Sequence, residues 1–185
     1  MQAAALQGGF SDPAPEAARA FRALLNALAR PGTVERVAGA RPPAPLSVAA
    51  GVVLLTLVDR GTPLHLAPSH DRPELRDWIA FHTGAPLVPA EAAAFALGDW
   101  AALVPLDRFA TGTPDYPDRS ATLIVEVSAL APATHRLTGP GIREAAMLRL
   151  PGARPPARLP LGLDLILTCG DSLAGLPRST RAEAL

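Results

Sequence analysis

Two short segments of this 185-residue chain carry polar donors in arrangements that suit an anion. The first is LTGPGI, Leu137 to Ile142: the end of a strand, then Gly139-Pro140-Gly141, then what reads as the start of a helix. Such a turn can aim backbone N–H groups around Thr138, Gly139 and Gly141 at a phosphate, and a helix dipole behind it would help. The competing and favoured reading is a plain β-turn that needs glycine for its dihedral angles. The second segment is Pro177-Arg178-Ser179-Thr180, a guanidinium next to two hydroxyls, which are donors for phosphate or carboxylate. Against that stands an edge-strand arginine paired with Asp171 or with a carboxylate of another chain. The two readings of Arg178 stay open.

The remaining reactive side chains form no readable catalytic set, so the catalytic residue stays unknown. His82 in FHTG closes a helix, where a cation or a carbonyl-capping donor is favourable, and capping is preferred to general-base work. His65, His70 and Asp71 suggest a metal set by residue type. One histidine lies on a strand and the other in a loop, without the fixed spacing a helix provides, so no metal is expected. His135 reads as structural. Asp164 opens the apolar run LDLILT and is either at an exposed strand end or paired with an arginine, because a lone buried carboxylate is costly. Cys169 is the sole cysteine, which rules out an intrachain disulfide or a cysteine-ligated cluster within the chain. It reads as a small buried residue rather than a nucleophile.

Composition narrows the classes further. All 17 basic residues are arginine, matched by 17 acidic ones, so no net field draws nucleic acid or an anionic membrane. Without lysine there is no internal Schiff base with pyridoxal phosphate and no P-loop lysine. No cofactor is expected. The longest apolar run, Ser47 to Val58, is too short to span a bilayer, and the N-terminus shows no signal-peptide pattern; a cytoplasmic protein is expected.

The elements that must position these groups are legible in outline. Ala14, Ala17, Ala18, Phe21, Leu24, Leu25 and Leu28 predict an amphipathic helix from Pro13 to Ala29, capped by Asp12 and stopped by Pro31-Gly32. A short strand is expected over Thr33–Val37, a buried helix over Ser47–Leu57, a strand over Pro63–Ala67 and a helix from Pro73 to a stop at Gly84. Strands follow over Ala93–Leu97, Ala121–Leu130 and His135–Thr138, with a long loop at Asp107–Arg119 between the first two. A short helix is expected over Ile142–Leu148. A proline-rich connector, Pro151–Pro160, leads to the strand Leu163–Thr168, with a turn and a second short apolar run behind it. Helices and strands alternate without a break in composition, which predicts one α/β domain over residues 1–185.

The ordered block PLGLDLILTCGDSLAGLPRST (160–180) is preceded by PAPEAARAFRALLNALARPGTV, VVLLTLVDRGTPLHL, FHTGAPLV, ATLIVEV and HRLTGPGI. Together these segments resemble the PhnH family of phosphonate-metabolism proteins, which belong to the carbon–phosphorus lyase core complex. The resemblance covers nearly the whole chain. It implies a single-domain three-layer α/β/α sandwich with a mixed sheet, similar to the large domain of pyridoxal-phosphate-dependent transferases but without that cofactor. It implies a place in the core complex that converts an alkylphosphonate and ATP into α-D-ribose 1-methylphosphonate 5-triphosphate with release of adenine. Members of the family are required there but have no assigned catalytic residue. A structural or substrate-positioning subunit is therefore expected, partnered by the other core subunits and homodimeric when isolated. The alternative is a free-standing nucleotide- or phosphate-binding enzyme using the Gly139–Gly141 turn and Arg178. On the assembly reading, Arg178→Ala is expected to weaken association and leave the isolated fold intact.

Overall fold

The computed structural model describes residues 6–153 and 158–185; of the connector Pro151–Pro160, residues 154–157 lie outside the described residues. Helix α1 (Pro13–Ala29) begins with proline at its first turn, where the missing N–H is an orphan anyway. Asp12 occupies the cap position but its side chain accepts nothing; Glu16 reaches back to the Ser11 N–H instead, at 3.0 Å. The buried face is Ala20, Leu24 and Ala27, narrower than the expected stripe, and Phe21 and Leu25 face outward. Apolar residues run round more than half of this helix, so periodicity alone could not say which flank would meet the sheet.

Helix α2 (Val48–Leu57) is apolar on all sides and buries Ala49 to Leu54 without a gap. Its start is set by Ser47, whose hydroxyl accepts the Ala50 N–H at 3.1 Å. Helix α3 (Pro73–His82) buries Leu75, Trp78 and Ile79. A single turn, α4 (Trp100–Leu103), is capped by Asp99, which accepts the Ala102 N–H at 2.8 Å.

Nine strands complete the described chain: β1 (Val34–Arg36), β2 (Leu64–Leu66), β3 (Phe95–Asp99), β4 (Thr122–Glu126), β5 (His135–Thr138), β6 (Ala146–Leu148), β7 (Asp164–Cys169), β8 (Ser172–Leu176) and β9 (Arg181–Ala184). The main sheet runs β1-β8-β7-β4-β3-β2, with β2, β3, β4 and β7 parallel. Strand β8 folds back along β7, and β1 pairs antiparallel with β8. Thus β1 runs the same way as β7, and five strands share one carboxyl edge.

Alternation of side chains sends Leu64, Leu66, Leu97, Ile124, Ile166 and Leu173 to the face covered by α1, α2 and α3. The opposite face, Ala96, Leu123, Val125, Leu165, Leu167 and Leu176, packs on Leu103, Leu106, Phe109, Leu137 and Leu148. The architecture is α/β with a mixed six-stranded sheet. The expected second helical layer is replaced by the one-turn α4, the 3-10 turns Ala90–Ala92 and Leu106–Arg108, which bury Ala90 and Leu106 on this face, and an antiparallel sheet in the order β6-β5-β9. No helix among the described residues is long and apolar enough to cross a membrane.

One local expectation fails outright. The helix over Ile142–Leu148 is absent: after a turn the chain enters β6, which pairs with β5 through Leu137↔Ala146 and His135↔Leu148. Ala, Glu, Met, Leu and Arg favour helix there, but pairing with β5 buries Leu148 against the main sheet, and packing overrides a weak local preference.

Candidate functional site

The parallel strands give the molecule an amino edge and a carboxyl edge, and the anion-binding segments read from the sequence fall on the amino edge. Arg178 follows β8 and closes on Asp164, the first residue of β7. Its backbone N–H donates to Asp164 Oδ1 at 2.7 Å, Nε to Oδ1 and Oδ2 at 3.3 and 3.2 Å, and Nη2 to Oδ2 at 2.6 Å. Nη1 donates to the carbonyls of Pro117 (2.8 Å) and Pro160 (3.3 Å), and Nη2 also to the Ser120 hydroxyl. Every donor-bearing nitrogen of the guanidinium is engaged inside the chain. The arginine ties together the starts of β4 and β7 and the turn at Pro160. Of the partners considered from sequence, an arginine for Asp164 is found. Asp171 instead accepts the Ser172 hydroxyl.

The LTGPGI turn lies beside that clamp. Gly139 has φ +136°, and a Cβ there would sit 3.0 Å from the Ser179 carbonyl oxygen. Gly141 has φ +80°, and a Cβ there would run into the carbonyl of Ala29 at the end of α1. Thr138 belongs to β5 and pairs with Arg181 of β9. So Thr138, Gly139 and Gly141 do come close to the segment after Arg178, but as a tight backbone junction. With β6 in place of a helix, no helix dipole stands behind the turn.

Other sequence candidates shift too. His82 does not cap α3: its Nε2 is 3.2 Å from the Gln7 carbonyl, which also accepts from Trp78 Nε1 at 3.0 Å. The end of α3 is closed instead by the Thr83 and Gly84 N–H groups on the Ile79 carbonyl, and the Gln7 carbonyl ties the N-terminal segment to the side of the helix. His65 Nδ1 faces the Val88 carbonyl at 3.1 Å, and Asp71 is held by the Arg76 guanidinium, which keeps its carboxyl below the usual range. No group of three metal-ligating side chains exists among the described residues. His135 Nδ1 is 2.8 Å from the Thr134 hydroxyl. Cys169 is half-exposed rather than buried, because β7 ends there in the Gly170-Asp171 hairpin turn.

The carboxyl edge holds polar groups that, His70 apart, sequence reasoning did not single out. Asp99, Glu126 and Thr168 stand in register at the ends of β3, β4 and β7, where open α/β sheets carry their ligand sites. Glu126 Oε1 accepts the Ser47 N–H at the start of α2 at 2.6 Å, and Oε2 accepts the Thr168 hydroxyl at 3.1 Å. The Ser69 hydroxyl accepts the Asp99 N–H at 3.1 Å and lies 2.9 Å from His70 Nδ1. Burial pushes the His70 imidazole down, against an upward pull from Asp99. A neutral imidazole against a hydroxyl can pass a proton, but here the hydroxyl holds the end of β3 to the segment after β2. A glutamate closing the buried run TLIV was the available signal for Glu126; the cost of a lone buried carboxylate applies to it as it does to Asp164.

Burial pushes the Glu126 carboxyl upward, more than its bonds to Ser47 and Thr168 pull it down. The native carboxyl therefore takes up its proton at higher pH than the unfolded one. Stability from this group is full below the unfolded value and is lost as pH rises through the folded one. Glu126→Gln keeps the acceptor for Ser47 and removes the desolvated charge. Its Tm at pH 7 is expected to equal or exceed that of the native protein, with the gap closing toward about pH 4. Thermal melts at both pH values test this; a variant that is less stable only at pH 7 would show the ionised form to be the stabilising one.

Known proteins match this chain over nearly its full length. A family model described as bacterial phosphonate metabolism protein (PhnH) matches residues 8–183. The chain is similar to the α-D-ribose 1-methylphosphonate 5-triphosphate synthase subunit PhnH of Rhizobium meliloti (strain 1021), with 42% identity over 95% of this chain and 94% of that protein. It is also similar to a putative C-P lyase subunit protein, HtxG, of Stutzerimonas stutzeri, with 35% identity over 90% of this chain and 86% of that protein. Matched from Gly8 past the Arg178 clamp into β9, the chain belongs to the bacterial phosphonate metabolism protein (PhnH) family.

Proposed function

We propose that this chain is a cytoplasmic subunit of an α-D-ribose 1-methylphosphonate 5-triphosphate synthase within a carbon–phosphorus lyase complex, acting by docking and positioning. The substrates at the level of the assembly are ATP and an alkylphosphonate. The observation that carries the docking role is the outer ridge of α1. Phe21 and Leu25, one turn apart, are 52% and 55% exposed, although α1 already buries a separate face against the sheet. Ala14, Ala18 and Ala29 extend the exposed stripe along the helix. A contiguous apolar ridge of this kind is what a partner surface covers. Arg178 and the Gly139–Gly141 junction serve the fold in this reading. Likeness to the large domain of pyridoxal-phosphate-dependent transferases would stop at topology, because a chain without lysine offers that cofactor no Schiff-base partner.

The test is Phe21→Asp combined with Leu25→Asp. Both side chains are already wet, so the isolated variant should melt within about 1 kcal/mol of the native protein. Capture of the other core subunits and synthase activity should fall together. Unchanged capture and activity would remove the ridge from the interface. Alone, the protein is expected to pair with a second copy across this ridge, so light scattering at micromolar concentration should report a dimer for the native chain and a monomer for the double variant.

A further inference from the structure

Arg19 and Arg36 line one cleft on the carboxyl side of the sheet, and neither guanidinium makes a hydrogen bond or ion pair among the described residues. Arg19 projects from the first half of α1. Arg36 ends β1 opposite Ser172, which also faces Cys169 at the end of β7. The cleft measures about 260 Å³ and has Ala20 and Val37, both buried, among its apolar walls. Glu16 is the one acidic side chain lining it among the described residues, and its carboxylate is taken by the Ser11 N–H at 3.0 Å rather than by either arginine. Two positive groups against one negative leave an excess positive charge in a hollow sized for a small molecule.

From this geometry we propose that the Arg19–Arg36 cleft is a binding site for a small tetrahedral oxyanion, a phosphate or phosphonate group, with its organic substituent resting on Ala20 and Val37. Planar guanidinium forks match such oxygens in pairs. The carboxyl edge is also where sheets of this kind present ligands. The clamp at Arg178 is the reverse case: an arginine on the amino edge with every donor nitrogen taken up by the chain. The inference stands on the cleft alone and goes beyond the assembly role, which the α1 ridge tests separately.

Calorimetric titration of the full chain with inorganic phosphate, methylphosphonate and, at matched ionic strength, chloride provides the test. Saturable binding of phosphate or methylphosphonate, absent with chloride, is expected, and the tighter of the two identifies the source. Arg19→Gln and Arg36→Gln should each weaken it at least about tenfold. Arg22→Gln, on the same helix but outside the cleft, should bind as the native protein does. All three positions are exposed, so circular dichroism should be unchanged. No saturable binding by the native chain, or equal affinity in the Arg19 and Arg36 variants, overturns the proposal. Loss of subunit capture in those variants without any anion binding by the native chain also overturns it, and assigns the cleft to an acidic segment of a partner.

Discussion

Arg178→Ala is expected to destabilise the isolated protein by about 3 kcal/mol, reversing the expectation that it would spare the fold. Arg178 and Asp164 are 18% and 25% exposed at their side chains, which places the pair between a surface bridge and a buried one. Truncation removes more than the pair. The Pro117 and Pro160 carbonyls and the Ser120 hydroxyl lose donors together, and Asp164 is left with only the Arg178 backbone N–H. Asp164→Asn should be milder, because an amide oxygen still accepts from that N–H. Denaturant unfolding of both single variants and the double variant would yield the coupling energy. A loss under about 0.5 kcal/mol for Arg178→Ala would return the side chain to the surface class. Any fall in complex assembly by this variant would then have to be read after its fold is accounted for.

Gly141→Ala should cost more still, above about 3 kcal/mol. Two terms add. The residue sits at φ +80°, where an L side chain costs roughly 1–2 kcal/mol. The new methyl would also overlap the Ala29 carbonyl, which is backbone and cannot rotate away. Gly170 separates the two terms: it sits at φ +58° with nothing within 4 Å of an added Cβ. Gly170→Ala should therefore show the conformational part alone. Thermal unfolding of the two variants side by side is the measurement, and equal losses would mean the junction between the turn and α1 yields to the methyl.

Both results concern segments whose sequences invite a ligand, and the contrast shows what one chain can and cannot display about itself. Local patterns were sufficient wherever a single element decides the outcome. Pro13 and Pro31-Gly32 bound α1 at the residues found, and the unbroken apolar run after Ser47 makes α2 a buried helix. The branched run before Glu126 and the run after Asp164 are strands, as their composition requires. The absence of lysine and of a second cysteine leaves no side-chain amine for a Schiff base and no intrachain disulfide, whatever the fold.

Partners across the chain are a different matter, because they depend on strand order and register. RAEA, exposed at every position, has no alternation to announce β9; it becomes a strand by pairing with β5. The segment before Leu148 gives up its helix for the same reason. Phe21 and Leu25 carry the same apolar signal as Leu24, and only the seating of α1 on β8 and α2 turns them outward. Arg178 lies fourteen residues from Asp164 and fifty-eight from Ser120 along the chain, and the hairpin between β7 and β8 is what closes the first distance. Likewise Arg19 and Arg36 belong to different elements with no shared spacing. They line one cleft because β1 ends at the carboxyl edge beside the first half of α1. The sequence determined which groups the protein possesses; packing of the sheet decided which of them would neutralise one another and which would be left facing a cleft.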